Sequence, residues 1–342
     1  MRIGSLFSGG VGGLDLAVEA AFDASTAWQL DLVGADVRAR HWPDTRQITA
    51  DVTTVDPSDL DPIDILCGGF PCPDLSVAGV AIHRDCGGRI DAGHCRTCGM
   101  AGLDVSDFER SGLYREMLRF AQVLCPQFVV MENVPALLSQ WQARLERDWH
   151  ALGYGLTWLP CQAMDAGAPH RRARVFVVAE RGAFGRGVVD VPTDGRWVPD
   201  GHLWATPLVA DSEMVKFSGK GGNPSLHTQA TTPGEAGRRL SPDWVEILQG
   251  VPVGWTNPAG PRLHAGDHQG WPRGWWGPEG SWWPGYDYEP ARTYPDHENG
   301  GPRIIRGRPA RLRALGNAVV WQQALLALRA WAAPVEQLRM FA

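Results

Sequence analysis

From residue 2 to about residue 180, short apolar runs alternate with stretches in which apolar residues recur every three or four positions. Apolar runs of four to eight residues bounded by turn residues predict buried parallel strands, and the wider spacing predicts helices. Residues 2 to 7, Thr26 to Leu30, Ile48 to Ala50, Ile63 to Cys67, Phe128 to Met131, 156 to 161 and Arg174 to Ala179 read as strands. Leu14, Leu16, Ala17, Ala20 and Ala21 read as a helix, as do Leu113, Tyr114, Met117, Leu118, Ala121 and Leu124, closed by Cys125-Pro126. Residues 136 to 150 continue the helical pattern, and Leu315 to Val320 opens an apolar helix, Trp321 to Trp331. The alternation predicts an α/β, doubly wound sheet, whose ligands sit outside the carboxyl ends of its strands.

The residues expected at that edge carry chemistry. After the first strand, Phe7-Ser8-Gly9-Gly10-Val11-Gly12-Gly13 leads into a helix, a pocket for a nucleotide-like ligand, although the glycine spacing is not the dinucleotide fingerprint. Asp31 ends the second strand, where an acid is placed to accept from ribose hydroxyls, and Asp51 sits similarly after the third; an N-cap or a surface residue is the alternative for either. Gly68-Gly69-Phe70-Pro71-Cys72-Pro73 follows the fourth strand. Its Cys72 faces the edge as a nucleophile or merely sits in a stiff turn, whereas Cys67, inside the strand, reads as core. Glu132-Asn133-Val134-Pro135 ends another buried strand, where the carboxyl is suited to hold a proton as an acid or else decorates a helix start. In His170-Arg171-Arg172-Ala173-Arg174, an extended run makes Arg172 and Arg174 project together as planar donors.

Two stretches break the rhythm. Residues 80 to 110 form a cysteine-bearing insertion with His83, Cys86, His94, Cys95 and Cys98; three thiolates and one imidazole, His83 or His94, suit a structural zinc, and free thiols are the alternative. From 181 to 310, Gly, Pro and Trp become dense and periodicity fades, which predicts a smaller loop-rich domain. Seven cysteines in a long chain argue against a disulfide framework. The net charge of -6 does not advertise a nucleic acid, but Arg303 to Arg313 carries five arginines and no acid, a phosphate-contacting stripe or an ordinary solvated face. The 44% apolar, 20% charged composition is that of a globular protein. With no apolar stretch long enough for a membrane and Met1 to Phe7 running straight into a strand, the expectation is no membrane association and a cytoplasmic location.

Taken together, Phe7-Ser8-Gly9 to Gly13, Pro71-Cys72, Gly112-Leu113, Glu132-Asn133-Val134, His170-Arg171-Arg172-Ala173-Arg174 and Leu315-Gly316-Asn317-Ala318 resemble the motifs of the C5-cytosine DNA methyltransferases, bacterial or phage type. His170 stands where that family has Gln and Asp31 where it usually has Glu. Leu240-Ser241-Pro242-Asp243-Trp244-Val245-Glu246 to Gly254-Trp255 looks like bacterial and phage members. The resemblance implies a Rossmann-like domain from 1 to 180, with 311 to 342 packed back onto it, and a target-recognition domain at 181 to 310. It implies S-adenosylmethionine as cofactor, held by Phe7, Ser8, Gly9, Gly10, Val11, Gly12, Gly13, Asp31, Asp51, Val52, Pro71, Leu113, Asn317 and Val319. Cys72, Glu132, Arg172 and Arg174 are implied to be catalytic, with Pro71, Asn133 and Val134 at the substrate; zinc around the insertion's Cys86, Cys95, Cys98 and His83 is expected from those residues alone. The implied reaction methylates C5 of a flipped-out cytosine in double-stranded DNA through a Cys72–C6 adduct. A monomer suffices for it, in a bacterial or phage-infected cell, with a cognate restriction endonuclease as a candidate partner. A tRNA cytosine-5 methyltransferase and a catalytically silent DNA-binding protein of the same fold are the competing readings. The long 181 to 310 stretch favours DNA, and retention of Cys72, Glu132 and Arg174 favours catalysis.

Overall fold

The computed structural model describes residues 1–71, 86, 90–91, 94–101, 113–193, 203–212, 225–231, 238–260, 292–295 and 307–333. Its central sheet is built from β1 (Arg2–Leu6), β2 (Ser25–Leu30), β3 (Arg46–Ile48), β4 (Ile65–Gly68), β7 (Phe128–Asn133), β8 (Tyr154–Gln162), β9 (Ala173–Arg181) and β10 (Gly187–Val188). The short strands β5 (Ile90–Asp91) and β6 (His94–Cys95) pair with each other in the insertion, and β11 (Arg238–Leu240) pairs with β12 (Thr293–Pro295). The helices are α1 (Gly13–Phe22), α2 (Ala35–His41), α3 (Tyr114–Leu124), α4 (Ala136–Ala151), α5 (Leu226–Ala230), α6 (Pro242–Leu248), α7 (Arg308–Asn317) and α8 (Trp321–Ala332).

The strands lie in the order β10-β8-β9-β7-β4-β1-β2-β3, parallel from β7 through β3, with β9 antiparallel to both β7 and β8. Strand order reverses between β1 and β4, which is where a doubly wound sheet opens a crevice at its carboxyl edge. Because successive side chains point to opposite faces, Val129, Met131, Val175 and Val177 pack under α3 and α4, with Phe120, Leu145 and Trp149. Val130, Phe176 and Val178 face the other way, among Leu16, Val18, Trp321, Leu325 and Leu328 of α1 and α8. Burial on both faces explains why the central strands read as continuous apolar runs rather than alternating ones. Cys67 is fully buried in β4, and burial pushes its thiol well above its ordinary pKa.

The structure refines four of these readings. The sheet runs past residue 180, since Gly187 and Val188 pair with Thr157 and Trp158. Within 181 to 310, the described residues Leu226, Leu240, Trp244, Val245, Leu248, Val251 and Trp255 join the same apolar cluster as α1 and α8 and so share the sheet domain's core. The arginine stripe is also not one exposed strip. Arg308 and Arg311, one helical turn apart on α7, are both buried. Arg308 donates to the carbonyls of Leu240 and Ser212. Arg311 pairs with Asp243 and Glu246. Helical spacing turns these two guanidiniums inward and leaves Arg313 outside; Arg303 and Arg306 lie outside the described residues. Leu315 to Asn317 closes α7 instead of opening α8, with extended backbone at Ala318 and Val320 separating the two. Among the described residues no helix is long and apolar enough to cross a membrane.

Candidate active site

A strand that runs against its neighbours delivers its first residues to the edge where theirs end. β9 does this: Phe176 pairs with Glu132 and Val175 with Asn133, so Arg174, two residues before Phe176 and on the same face, stands diagonal to Glu132. Its Nε lies 2.7 Å from Glu132 Oε1, and both side chains remain partly accessible, at 19% and 13%. Sequence separation conceals this contact; antiparallel register creates it.

The loop after β4 is fastened to the same place. Asn133 Nδ2 donates to the Phe70 carbonyl at 3.0 Å, and Asn133 Oδ1 accepts from the Val134 backbone N–H. A Cβ built on Gly69 would lie 3.0 Å from Glu132 Oε2, so the carboxyl faces the Gly68-Gly69 turn directly. Phe70 is buried beside Tyr114 and Pro71 is exposed at the edge. Cys72, the next residue in the chain, lies outside the described residues. The structure therefore gathers Glu132, Asn133, Arg174 and Pro71 into one site, with Val134 half-buried at its margin.

On the other side of the crevice lies the glycine loop. Phe7 adopts φ +56°, which is rare outside glycine, and Gly9 follows at +64° with open space where a side chain would stand. Gly9 N–H donates to Asp31 Oδ2 at 2.9 Å, and Val33 N–H to Asp31 Oδ1 at 3.1 Å, so the loop and the end of β2 share one carboxylate. Ser8 is held by the Ser5 hydroxyl, while Gly10, Val11, Gly12 and Gly13 are buried. Gly13 permits a close approach: a Cβ there would stand 2.0 Å from the Val319 carbonyl, so the stretch after α7 packs on the loop. Asn317 beside it is exposed. Asp51 caps a short turn by accepting from Thr53 N–H and hydroxyl, which hold its carboxyl below the usual range; it remains exposed, with Val52 buried behind it. Leu113, at the start of α3, is half-buried, and Gly112 lies outside the described residues.

Arg172 departs from the expected arrangement. Its backbone has φ +32°, so the run is not extended there and the side chain does not project with Arg174. It is buried and donates to the carbonyls of Pro207, Gly316 and Ala318. Burial and the neighbouring Arg174 lower its pKa to about 9. Arg172 is a positioning residue that fastens the end of α7 to the edge. His170 is buried too, with Nε2 2.7 Å from the Leu248 carbonyl; since a carbonyl only accepts, that nitrogen carries the proton. Burial, then the Arg172 charge, drive its pKa down to about 3.

Several supporting residues escape sequence reading. Arg38 is buried beneath the glycine loop and donates to the carbonyls of Gly9 and Val33 and to Gln47. Trp255 donates from its ring nitrogen to the Val11 carbonyl at 2.9 Å and stacks on His41 at 3.6 Å. Glu246 accepts from Gly254 N–H, Thr256 N–H, the Thr256 hydroxyl and Arg311. The only signal for any of these was the stretch from Leu240 to Trp255. Its partners, in α2 and α7, lie far away in the chain.

The comparisons fit this geometry. Residues 1–193, over half of the chain, match the model of the C-5 cytosine-specific DNA methylase family. Among curated relatives, the type II methyltransferase M.DdeI of Desulfomicrobium norvegicum is 28% identical over 190 residues, which is 52% of this chain and 40% of that protein. The type II methyltransferase M2.BsuMI of Bacillus subtilis is 25% identical over 279 residues, 79% of this chain and 57% of its own length. The chain thus spans less than two thirds of these relatives. The Dnmt2 methyltransferase structure of S. pombe aligns over 97% of this chain and 98% of its own, with TM-score 0.59 and 14% identity, a likeness of fold. By the family match across its sheet domain and crevice loops, the chain belongs to the C-5 cytosine-specific DNA methylases.

Proposed function

We propose that the chain transfers a methyl group from S-adenosylmethionine to C5 of a cytosine flipped out of double-stranded DNA. The observation that carries this reading is the Glu132–Arg174 pair, partly accessible and set against the loop that leads into Cys72. A cytosine edge presents O2 and N3 side by side, and a carboxyl beside a guanidinium matches them. Arg174 would hold O2 while Glu132 gives a proton to N3, in place of their contact with each other.

Cytosine C5 is a weak nucleophile, and addition of a thiolate to C6 turns it into an enamine carbon. Cys72 would supply that thiolate: an S–C6 bond forms, and the ring electrons move toward C5 as N3 takes the Glu132 proton. Bound S-adenosylmethionine would supply an electrophilic methyl group to that carbon. Release of the C5 proton to a base, breakage of the S–C6 bond and return of the N3 proton to Glu132 would then restore the aromatic ring, the thiolate and the carboxylic acid. A stacked base cannot meet these groups, so the cytosine leaves the duplex at a cost of a few kcal/mol.

The loop side suits the cofactor chemically. Gly9 leaves open space beside Asp31, whose two oxygens each keep acceptor capacity beyond the one backbone N–H they receive, enough for a ribose diol. Exposed Asp51 would accept from an adenine amino group, with Phe7, Pro71, Leu113, Asn317 and Val319 as walls. Arg172 and Asn133 position the surrounding backbone.

The test uses tritiated S-adenosylmethionine with duplex DNA of mixed sequence. Label at cytosine C5 is expected, together with a stable protein–DNA complex on duplex carrying 5-fluorocytosine, whose fluorine cannot leave as a proton does. Absence of transfer to any duplex, or transfer undiminished by Cys72→Ala, overturns the reading.

A further inference from the structure

The insertion between β4 and α3 contains a cluster that methyl transfer does not use. Cys86, Cys95 and Cys98 place their sulfurs within 4.8 Å of one another, with Cys86 and Cys95 at 3.4 Å. The geometry points to a structural zinc ion held by these three thiolates.

The local fold is a short hairpin followed by a tight turn. Ile90 pairs with Cys95 and Asp91 with His94 across β5 and β6, and the chain then turns tightly: Gly99 N–H donates to the Cys95 carbonyl and Cys95 N–H to that of Met100. Gly99, at φ +73°, completes the turn and leaves Cys95 and Cys98 with their sulfurs on one side. Cys86 arrives from a separate part of the insertion to supply the third sulfur.

The spacing fits zinc better than a disulfide. Thiolates about 2.3 Å from one zinc stand about 3.8 Å apart at the tetrahedral angle, within the observed range. A disulfide needs about 2.05 Å, and three sulfurs would leave one unpaired. Among the described residues these three cysteines form no disulfide.

Something must hold this segment. Among its residues with described side chains, Cys95 is buried, whereas Cys86, His94, Arg96, Thr97, Cys98, Gly99, Met100 and Ala101 are exposed. A pair of two-residue strands is not stable in water without a staple. Zinc supplies one: three S–H protons pass to solvent as three Zn–S bonds form, and no electron moves. His94 stands outside the sulfur cluster, and His83 lies outside the described residues; the proposal rests on the three thiolates.

The experiment is elemental analysis of the full chain, purified under reducing conditions without chelator, joined to X-ray absorption at the zinc edge. About one zinc per chain is expected, with three sulfurs at about 2.3 Å. Cys86→Ser, Cys95→Ser and Cys98→Ser should each lose most of it, and Cys125→Ser, an exposed cysteine outside the cluster, should keep it. Should a cluster variant fail to fold, cobalt replacing zinc in the wild-type chain gives a second readout, a thiolate-to-cobalt charge-transfer band. Zinc far below one per chain, fewer than three sulfur neighbours, no such band, or metal retained by folded Cys98→Ser overturns the proposal. Loss of methyl transfer in Cys72→Ala with zinc intact would keep this outcome separate from that of the proposed reaction.

Discussion

Glu132 with Arg174 and Glu246 with Arg311 are the same chemical pair, at 2.7 and 2.8 Å, in opposite surroundings. Glu246 is fully buried, Arg311 is 3% exposed, and the carboxylate is surrounded by donors from Gly254, Thr256 and Arg311. That pair is sealed from solvent and so closed to a ligand; it clamps α6, α7 and the turn at Gly254 together. Glu132 and Arg174 stand at the sheet edge, partly open, with the carboxyl against the Gly68-Gly69 turn. An ion pair that its neighbours saturate acts as structure, while one left partly open can exchange its partner for a substrate. Distance alone does not separate them; accessibility and the number of other donors do.

The sharpest way to break this comparison is to remove each carboxylate in turn. Glu246→Ala leaves the buried Arg311 charge with Asp243 as its one remaining carboxylate among the described residues, and a loss of about 3–5 kcal/mol is expected, read from the urea midpoint, with activity falling only as the folded fraction falls. Glu132→Gln should do the reverse, lowering kcat about 10²–10³-fold with the urea midpoint nearly unchanged. If both variants lose stability alike, the distinction fails. His170 sharpens it by pH. Burial holds its folded pKa near 3, below the 6.5 of the unfolded chain, so the unfolded state binds the proton first as pH falls. Its contribution is complete above pH 6.5 and declines toward pH 3 by at most about 1.4 kcal/mol per pH unit. His170→Gln, which keeps a donor for the Leu248 carbonyl, should flatten that slope between pH 7 and 5, measured by urea unfolding. The smallest effect is expected from Asp31→Ala, about tenfold weaker S-adenosylmethionine binding by calorimetry through loss of an acceptor and a loosened Gly9, with the fold retained.

Much of the scaffold was legible. The apolar runs at residues 2 to 7, 26 to 30, 63 to 67 and 128 to 131 reported strands because both faces of a parallel sheet are covered and tolerate no polar alternation. The Gly68-Gly69 turn and Glu132-Asn133 were legible as edge residues because each directly follows or ends such a run. Arg172 misled, since alternation implies extended backbone and one residue at φ +32° redirects its side chain into carbonyls contributed by the end of α7 and by Pro207. The arginine stripe misled for a related reason: composition does not say which face of α7 meets Asp243 and Glu246.

Sequence by itself determined the alternation of strand and helix and the residue types presented at the carboxyl edge of the sheet, because backbone periodicity and turn propensity are local. Tertiary structure decided which groups meet: Arg174 beside Glu132 through antiparallel register, Val319 on Gly13, Trp255 under Val11, and three cysteine sulfurs within 4.8 Å. Contacts of that kind depend on how distant segments pack, which side chain is left open to solvent, and which backbone carbonyls take up a buried charge, and local spacing carries no record of them.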